Sequence, residues 1–112
     1  MLFKWEIGRQ QSGYDKMPII SSNRINFDLW LLRFKPGSYI APHVDTVPNR
    51  RHYRLNIFIK PAKAGGEFRA GNVIYQNRFL AYFRPDISTH SVSKVESGTR
   101  YVLSFGFTLK GK

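Results

Sequence analysis

Turn-forming residues interrupt this chain roughly every ten residues, a spacing that suits short strands and leaves no room for long helices. "KPG" (35–37), "TVPN" (46–49), "KPAKAGG" (60–66), "RAGN" (69–72), "RPDIS" (84–88) and "ESG" (96–98) all read as turns. "RQQSGYDKMP" (9–18) is polar and ends in Pro18, so it reads as a loop, and 9–25 is expected to hold that loop or a short helix. The intervening segments are rich in Val, Ile, Leu, Tyr and Phe. They predict strands near 2–7, 26–35, 38–45, 53–60, 66–69, 72–76, 79–84, 90–95 and 99–109. No segment carries a long apolar stripe at the helical period. Many short, evenly spaced strands predict an all-β sandwich or barrel.

The 112 residues suggest a single domain over 1–112, with a strand and loop in 1–25 leading into a core at about 26–109. Hydrophobic residues make up 42% and aromatics 15%, which excludes a disordered chain. Cysteine is absent, so disulfides, thiolate metal sites and a cysteine nucleophile are excluded. No apolar run approaches the ~20 residues of a membrane span. The opening "MLFKWEIGRQ" carries charges too early for a signal peptide. A soluble, cytoplasmic protein with no membrane partner is expected. The net charge of +11, from 18 Lys and Arg against 7 Asp and Glu, attracts anions. The basic residues are scattered, with a modest cluster at "NRRHYR" (49–54).

The last segment alternates cleanly. Arg100, Val102, Ser104 and Gly106 share one face; Tyr101, Leu103, Phe105 and Phe107 share the other. The aromatic face is expected to pack against a second layer, and the Arg100 face to look into water or a lined cavity.

"IAPHVD" (40–45) poses a second constraint, because an apolar strand is a costly place for a charge. In a strand, His43 and Asp45 point the same way with Cα atoms about 7 Å apart, close enough to share one cation. The pair alone carries little weight. His90 opens another strand after the turn at 84–88, and Arg100 follows ten residues later. Two imidazoles and one carboxylate on one face, with open positions left over, are the donor set of non-haem Fe(II) oxygenases. The open positions would take a chelating 2-oxo acid and O2. Arg100 offers a two-pronged anchor for the far carboxylate of that acid, with Ser104 adding a hydroxyl.

The ordered set "APHVDT…GGEF…FRPDISTHSVSKVESGTRYVLSFGF" resembles the iron(II)/2-oxoglutarate-dependent oxygenase superfamily over about 26–109. The resemblance implies a double-stranded β-helix, the jelly-roll barrel also seen in cupins. It also implies Fe(II) on His43, Asp45 and His90, 2-oxoglutarate on Arg100, and hydroxylation of a C–H bond with release of succinate and CO2. The Gly65-Gly66-Glu67 turn is similar to the prolyl-hydroxylase-type branch. "YRLNIFI" (53–59) and "FRAGNVIYQNRFLAYF" (68–83) are similar to the aspartyl/asparaginyl β-hydroxylase branch, whose Arg-x-His falls here on Arg54 and Asn56. Both residues are therefore assigned to the co-substrate pocket. His52 is expected at the surface or behind the ligands, and Glu67 is read as structural.

So few residues beyond the barrel suggest an open site and a macromolecular substrate, protein, peptide or nucleic acid. The excess of Arg50, Arg51, Arg54, Lys60, Lys63, Arg69, Arg78 and Arg84 over Glu67 would steer an anionic one. Two other readings fit the same residues. One is a cupin-like domain holding another metal, since zinc also accepts imidazole and carboxylate. The other is a basic nucleic-acid-binding β-barrel without catalysis, its aromatics stacking on bases.

Overall fold

The computed structural model describes residues 5–7, 13–22 and 26–110. In chain order these form β1 (Glu6–Ile7), β2 (Asp15–Ser22), β3 (Phe27–Phe34), β4 (Ile40–His43), β5 (Arg50–Lys60), β6 (Ala64–Gly65), β7 (Phe68–Ala70), β8 (Tyr75–Gln76), β9 (Leu80–Phe83), β10 (His90–Val92), β11 (Val95–Ser97) and β12 (Arg100–Lys110). A seven-stranded antiparallel sheet in the order β1-β2-β3-β12-β5-β9-β8 faces a three-stranded sheet, β4-β10-β7, and β11-β6 forms a small third pair. The fold is all-β, a cupin-like jelly-roll barrel.

β12 is the spine of the larger sheet. It runs antiparallel to β3 from Arg100↔Phe34 to Phe107↔Phe27, and to β5 from Tyr101↔Lys60 to Lys110↔Arg50. Its alternation sets the inside and outside of the barrel. Arg100, Val102, Ser104 and Gly106 are all buried and face the interior, so of the two surroundings expected for that face, water or a lined cavity, it is the cavity that Arg100, Val102 and Ser104 line. The aromatic face is the outer one, contrary to expectation. Tyr101, Leu103, Phe105 and Phe107 stay half-buried, packing sideways against neighbours such as Phe27 and Tyr53. An outward aromatic on a sheet gains much of its burial from cross-strand neighbours, so it does not require a covering layer.

The apolar core fills one end of the barrel. Phe34, Val95 and Val102 are almost fully buried, joined by Tyr14 and Val92, with Leu32, Ile40, Phe58, Ala62 and Phe68 around them. Each fully buried side chain of this kind contributes roughly 1.5–3 kcal/mol.

The N-terminal expectation needs correcting. Residues 15–22 form β2, a full strand, where a loop or short helix was predicted; 9–12 and 23–25 lie outside the described residues. Pro18 misled because it lacks a ladder N–H. The structure accommodates it opposite Trp30 at a register shift between Pro18 and Ile20, a local irregularity that tolerates proline. The other boundaries move modestly. The 90–95 segment splits into β10 and β11, the 66–69 strand shifts to β7, the short β6 arises inside the turn predicted at 60–66, and β4 stops at His43, which leaves Asp45 beyond the strand. The turn chemistry held at Asn49 and Asn72, both in the left-handed region (φ 57° and 55°) that asparagine tolerates.

The Gly65-Gly66 turn has a physical reason. Both residues have positive φ, 73° and 69°, and a Cβ on Gly66 would sit 2.9 Å from Val95 Cγ2 and 3.3 Å from Arg100 Cδ. The turn therefore lays bare backbone against the stem of Arg100.

Candidate metal centre

His43 ends β4 and His90 begins β10, and the two are direct cross-strand partners. Their rings lie 4.3 Å apart between centroids. Asp45 joins them from the loop after β4, so strand alternation is not what aims its carboxylate. The loop is fixed by the Asp45 N–H, which donates to the Pro85 carbonyl at 2.7 Å. The turn at 84–88 is itself tied down by Arg84, which donates to both oxygens of Asp86 at 3.2 and 2.6 Å. Burial alone would raise the Asp86 carboxyl, but hydrogen bonds from Arg84 and from backbone N–H groups outweigh it and hold it below its ordinary value.

The ring nitrogens show what this cluster is built for. His43 Nδ1 lies 2.8 Å from the Ala41 carbonyl, and His90 Nδ1 lies 2.9 Å from the Ser88 carbonyl. A carbonyl only accepts, so each Nδ1 carries a hydrogen, which leaves Nε2 as the position where the neutral ring would offer a lone pair. Those Nε2 atoms face the Asp45 carboxylate, at 3.3 Å for His43 and 3.4 Å for His90. Three ligand atoms thus converge within 4.8 Å of one another. A proton or a metal ion can join such a group, and two nitrogens with one carboxylate are a donor set that fits a divalent metal. The backbone carbonyls behind the imidazoles supply the orientation that metal-bound histidines ordinarily need.

The His43–Asp45–His90 cluster opens into a cavity of about 190 Å³ that reaches the buried face of β12. Arg100 lies in it, 5% exposed. Among the described residues its guanidinium meets no carboxylate. It rests over the rings of Phe34 and Phe58, at 4.8 and 5.3 Å from their centroids. Burial alone pushes its pKa down to about 10. A buried guanidinium without a counter-charge is costly, and its nitrogens are not among the sealed, unbonded ones, so they reach the cavity.

The other predicted co-substrate residues are arranged differently from expectation. Arg54 lines the cavity, but its guanidinium is engaged: Nη2 donates to both oxygens of Asp28 at 2.8 and 3.1 Å, and Nη1 to Ser104 Oγ at 2.7 Å. The Ser104 hydroxyl in turn donates to Asn56 Oδ1 at 2.6 Å, so its hydrogen is directed at Asn56 and not at a ligand. Arg100 and the amide nitrogen of Asn56 remain as donors on the wall of the cavity. His52 is no surface residue. It lines the cavity, its Nε2 lies 3.4 Å from Arg54 Nη2, and its buried Nδ1 has no partner among the described residues. Glu67 is exposed and pairs with Arg69, consistent with a role outside the site.

Sequence reading missed Asp28, Trp30, Lys16 and Gly106. The signal for Asp28 was present: a carboxylate inside the apolar strand "FDLWLLRF" has the same oddity as Asp45. Gly106 had no signal, because its role depends on a neighbouring strand. Gly106 is opposite Arg54, and a Cβ there would collide with the guanidinium. Gly106→Ala is expected to push Arg54 off Asp28 and Ser104 and to destabilise the fold by about 2–3 kcal/mol in urea unfolding.

His52 gives the site a pH dependence. Burial first, and then the Arg54 charge, push the ring down from 6.5 to about 4, against weaker opposite effects of Asp28, Asp45 and Asp86. The unfolded ring takes up its proton near pH 6.5 and the folded ring only near 4, so stability falls as pH drops through that window and levels off below it. The ring is partly solvated, so the expected loss is about 1–2 kcal/mol. Urea unfolding at several pH values tests this, and His52→Asn should flatten the slope.

No protein-family model matches the sequence, and no curated protein matches it. Solved structures do share the fold. An RmlC-like cupin protein from Desulfovibrio desulfuricans is 18% identical with a TM-score of 0.59, over 96% of this chain and 92% of that one. A cupin 2 conserved barrel domain protein from Rhodopseudomonas palustris is 9% identical with a TM-score of 0.61, over 96% and 72%. The viral collagen prolyl hydroxylase of Paramecium bursaria Chlorella virus-1, solved as a 2OG complex, is 23% identical with a TM-score of 0.58, over 78% of this chain and 61% of that one. At these identities the likeness establishes the cupin-type barrel and no activity.

Proposed function

We propose that this chain is an Fe(II)- and 2-oxoglutarate-dependent dioxygenase that hydroxylates a C–H bond. The observation that carries this reading is Arg100: a 5% exposed guanidinium with no carboxylate among the described residues, in the same cavity as the His43–Asp45–His90 cluster. A dicarboxylate with a chelating oxo-acid end and a free far end suits both features together. Most other metal ligands would leave the buried arginine without a counter-charge. The likeness to a viral prolyl hydroxylase in complex with 2OG adds support through the fold.

When bound, Fe(II) with O2 and 2-oxoglutarate supplies the oxidation, consuming the oxo acid to succinate and CO2 as the substrate gains a hydroxyl. His43, Asp45 and His90 hold the metal with both imidazoles already in the required tautomer. Arg100 neutralises and orients the far carboxylate by a two-pronged hydrogen bond. The apolar core beneath, with Val102 and Leu32, keeps water from that end. The substrate is an anionic macromolecule, peptide or nucleic acid, drawn by the net charge of +11.

Anaerobic protein given Fe(II) and then 2-oxoglutarate should develop a weak metal-to-ligand absorption band in the visible, and slow succinate formation should follow on admitting O2. Absence of both with metal demonstrably bound would sink the proposal. The cupin neighbours favour a second reading, a metal centre of other chemistry, which tight zinc retention and indifference to 2-oxoglutarate would support.

A further inference from the structure

We propose that a hydrogen-bonded relay from Asp28 through Arg54 and Ser104 turns the amide of Asn56 so that its N–H donors face the cavity. Asp28 is thereby a remote positioning residue for an oxygen-rich anion bound beside the metal centre. The ligand part of this inference rests on reading the cavity as an oxo-acid site; the orientation of the amide does not.

The direction of each hydrogen follows from chemistry. Arginine only donates, so at the 2.7 Å contact between Arg54 Nη1 and Ser104 Oγ the hydroxyl oxygen accepts. The hydroxyl keeps one hydrogen to place. The acceptor within reach is Asn56 Oδ1, at 2.6 Å. Were the amide turned over, its nitrogen would donate to Ser104 and the hydroxyl hydrogen would lose its acceptor, a costly outcome for side chains that are 2% and 8% exposed. With Oδ1 on Ser104, the nitrogen of Asn56 is left on the other side. It makes no hydrogen bond among the described residues, is not sealed from the cavity, and Asn56 lines the cavity.

Asp28 holds the chain of bonds in this sense. Both its oxygens accept from Arg54 Nη2, at 2.8 and 3.1 Å, which rotates Nη1 onto Ser104. Gly106 makes this possible, because only a residue without a Cβ lets the guanidinium lie across β12. Three strands contribute: Asp28 from β3, Arg54 and Asn56 from β5, and Ser104 from β12, with β9 pairing beside Asn56 at Ala81. The result is a cavity wall that presents N–H groups to acceptors, and it disfavours ligands that offer donors at that point.

A ligand-free measurement and a binding measurement test this together. In ¹⁵N-labelled protein without metal or ligand, the Asn56 side-chain amide is identified by its loss in Asn56→Ala. Both Hδ2 protons should exchange rapidly with water, and Asp28→Asn or Ser104→Ala should shift the signal. A protected Hδ2 in the wild type, or a signal indifferent to Asp28→Asn, overturns the relay. In Mn(II)-loaded protein, calorimetry should show 2-oxoglutarate affinity weakened about tenfold by Asp28→Asn and by Ser104→Ala, with Mn(II) affinity changed less than about twofold. Ser104→Thr, which keeps the hydroxyl, should restore it. Asn56→Asp should weaken binding more than Asn56→Ala, because it puts an oxygen where the donors were; equal effects would overturn the donor role. If the wild type binds Mn(II) but not 2-oxoglutarate, the oxo-acid reading and the ligand part of this inference fall, and the amide exchange alone decides the relay.

Discussion

Arg100→Met is expected to weaken 2-oxoglutarate binding by a factor of roughly 30 to several thousand, the usual consequence of truncating one partner of a buried charge pair. The same substitution should stabilise the ligand-free fold by about 1 kcal/mol. Methionine fills the space of the stem against Gly66, Phe34 and Phe58, and it relieves the burial of a guanidinium that meets no carboxylate among the described residues. The gain is modest because contact with the two phenylalanine rings already offsets part of the cost. For a chain of this size it corresponds to a melting temperature higher by about 4–8 °C. Opposite signs in the two measurements distinguish a ligand anchor from a packing residue. A lower melting temperature with unchanged 2-oxoglutarate affinity would make Arg100 part of the core. Arg100→Lys should fall between, since it keeps the charge and loses the two-pronged geometry.

The second large effect concerns the metal. Mn(II) or Fe(II) at 100 times its dissociation constant should raise the stability of the wild type by about 2.7 kcal/mol, and this gain should vanish in His43→Ala and Asp45→Asn at the same concentration. Asp45→Asn is the sharper test. Its amide nitrogen can donate to one of the two Nε2 lone pairs that the carboxylate oxygens now face at 3.3 and 3.4 Å, and the neutral group removes the carboxylate's charge from the other. The metal-free variant should therefore melt at or above the wild type while losing metal affinity. Metal binding by both variants equal to that of the wild type would rule out the centre. His90→Ala is less informative, because His90 is 8% exposed and packs on Phe83, so its loss also leaves a cavity.

Much of this was legible from local pattern. Turn residues at regular spacing and the strict alternation from Arg100 to Phe107 pointed to a barrel with Arg100 inside. Two imidazoles, a carboxylate and an arginine in order along the chain pointed to one centre, and the structure does bring His43, Asp45 and His90 within reach of a common ion. The errors have physical causes. Pro18 reads as a strand breaker, yet β2 holds it where the register shifts. Asp45 was placed by strand alternation, whereas the Pro85 carbonyl, forty residues away in sequence, positions it. Arg54 and Ser104 line the cavity, as their faces required; what residue order did not give is that Arg54 also donates to Asp28 and Ser104, and Ser104 to Asn56.

The sequence by itself thus determined which side chains are available inside the barrel, because a strand's period of two assigns faces from residue order alone. Only the tertiary structure decided what those side chains do once inside. A hydrogen bond depends on which strand lies opposite and at what register, and that register is set by contacts distant in sequence. Hence β12 against β5 decides that Arg54 crosses Gly106, that Ser104 meets Asn56, and that Arg100 is left facing the cavity with no carboxylate among the described residues to neutralise it.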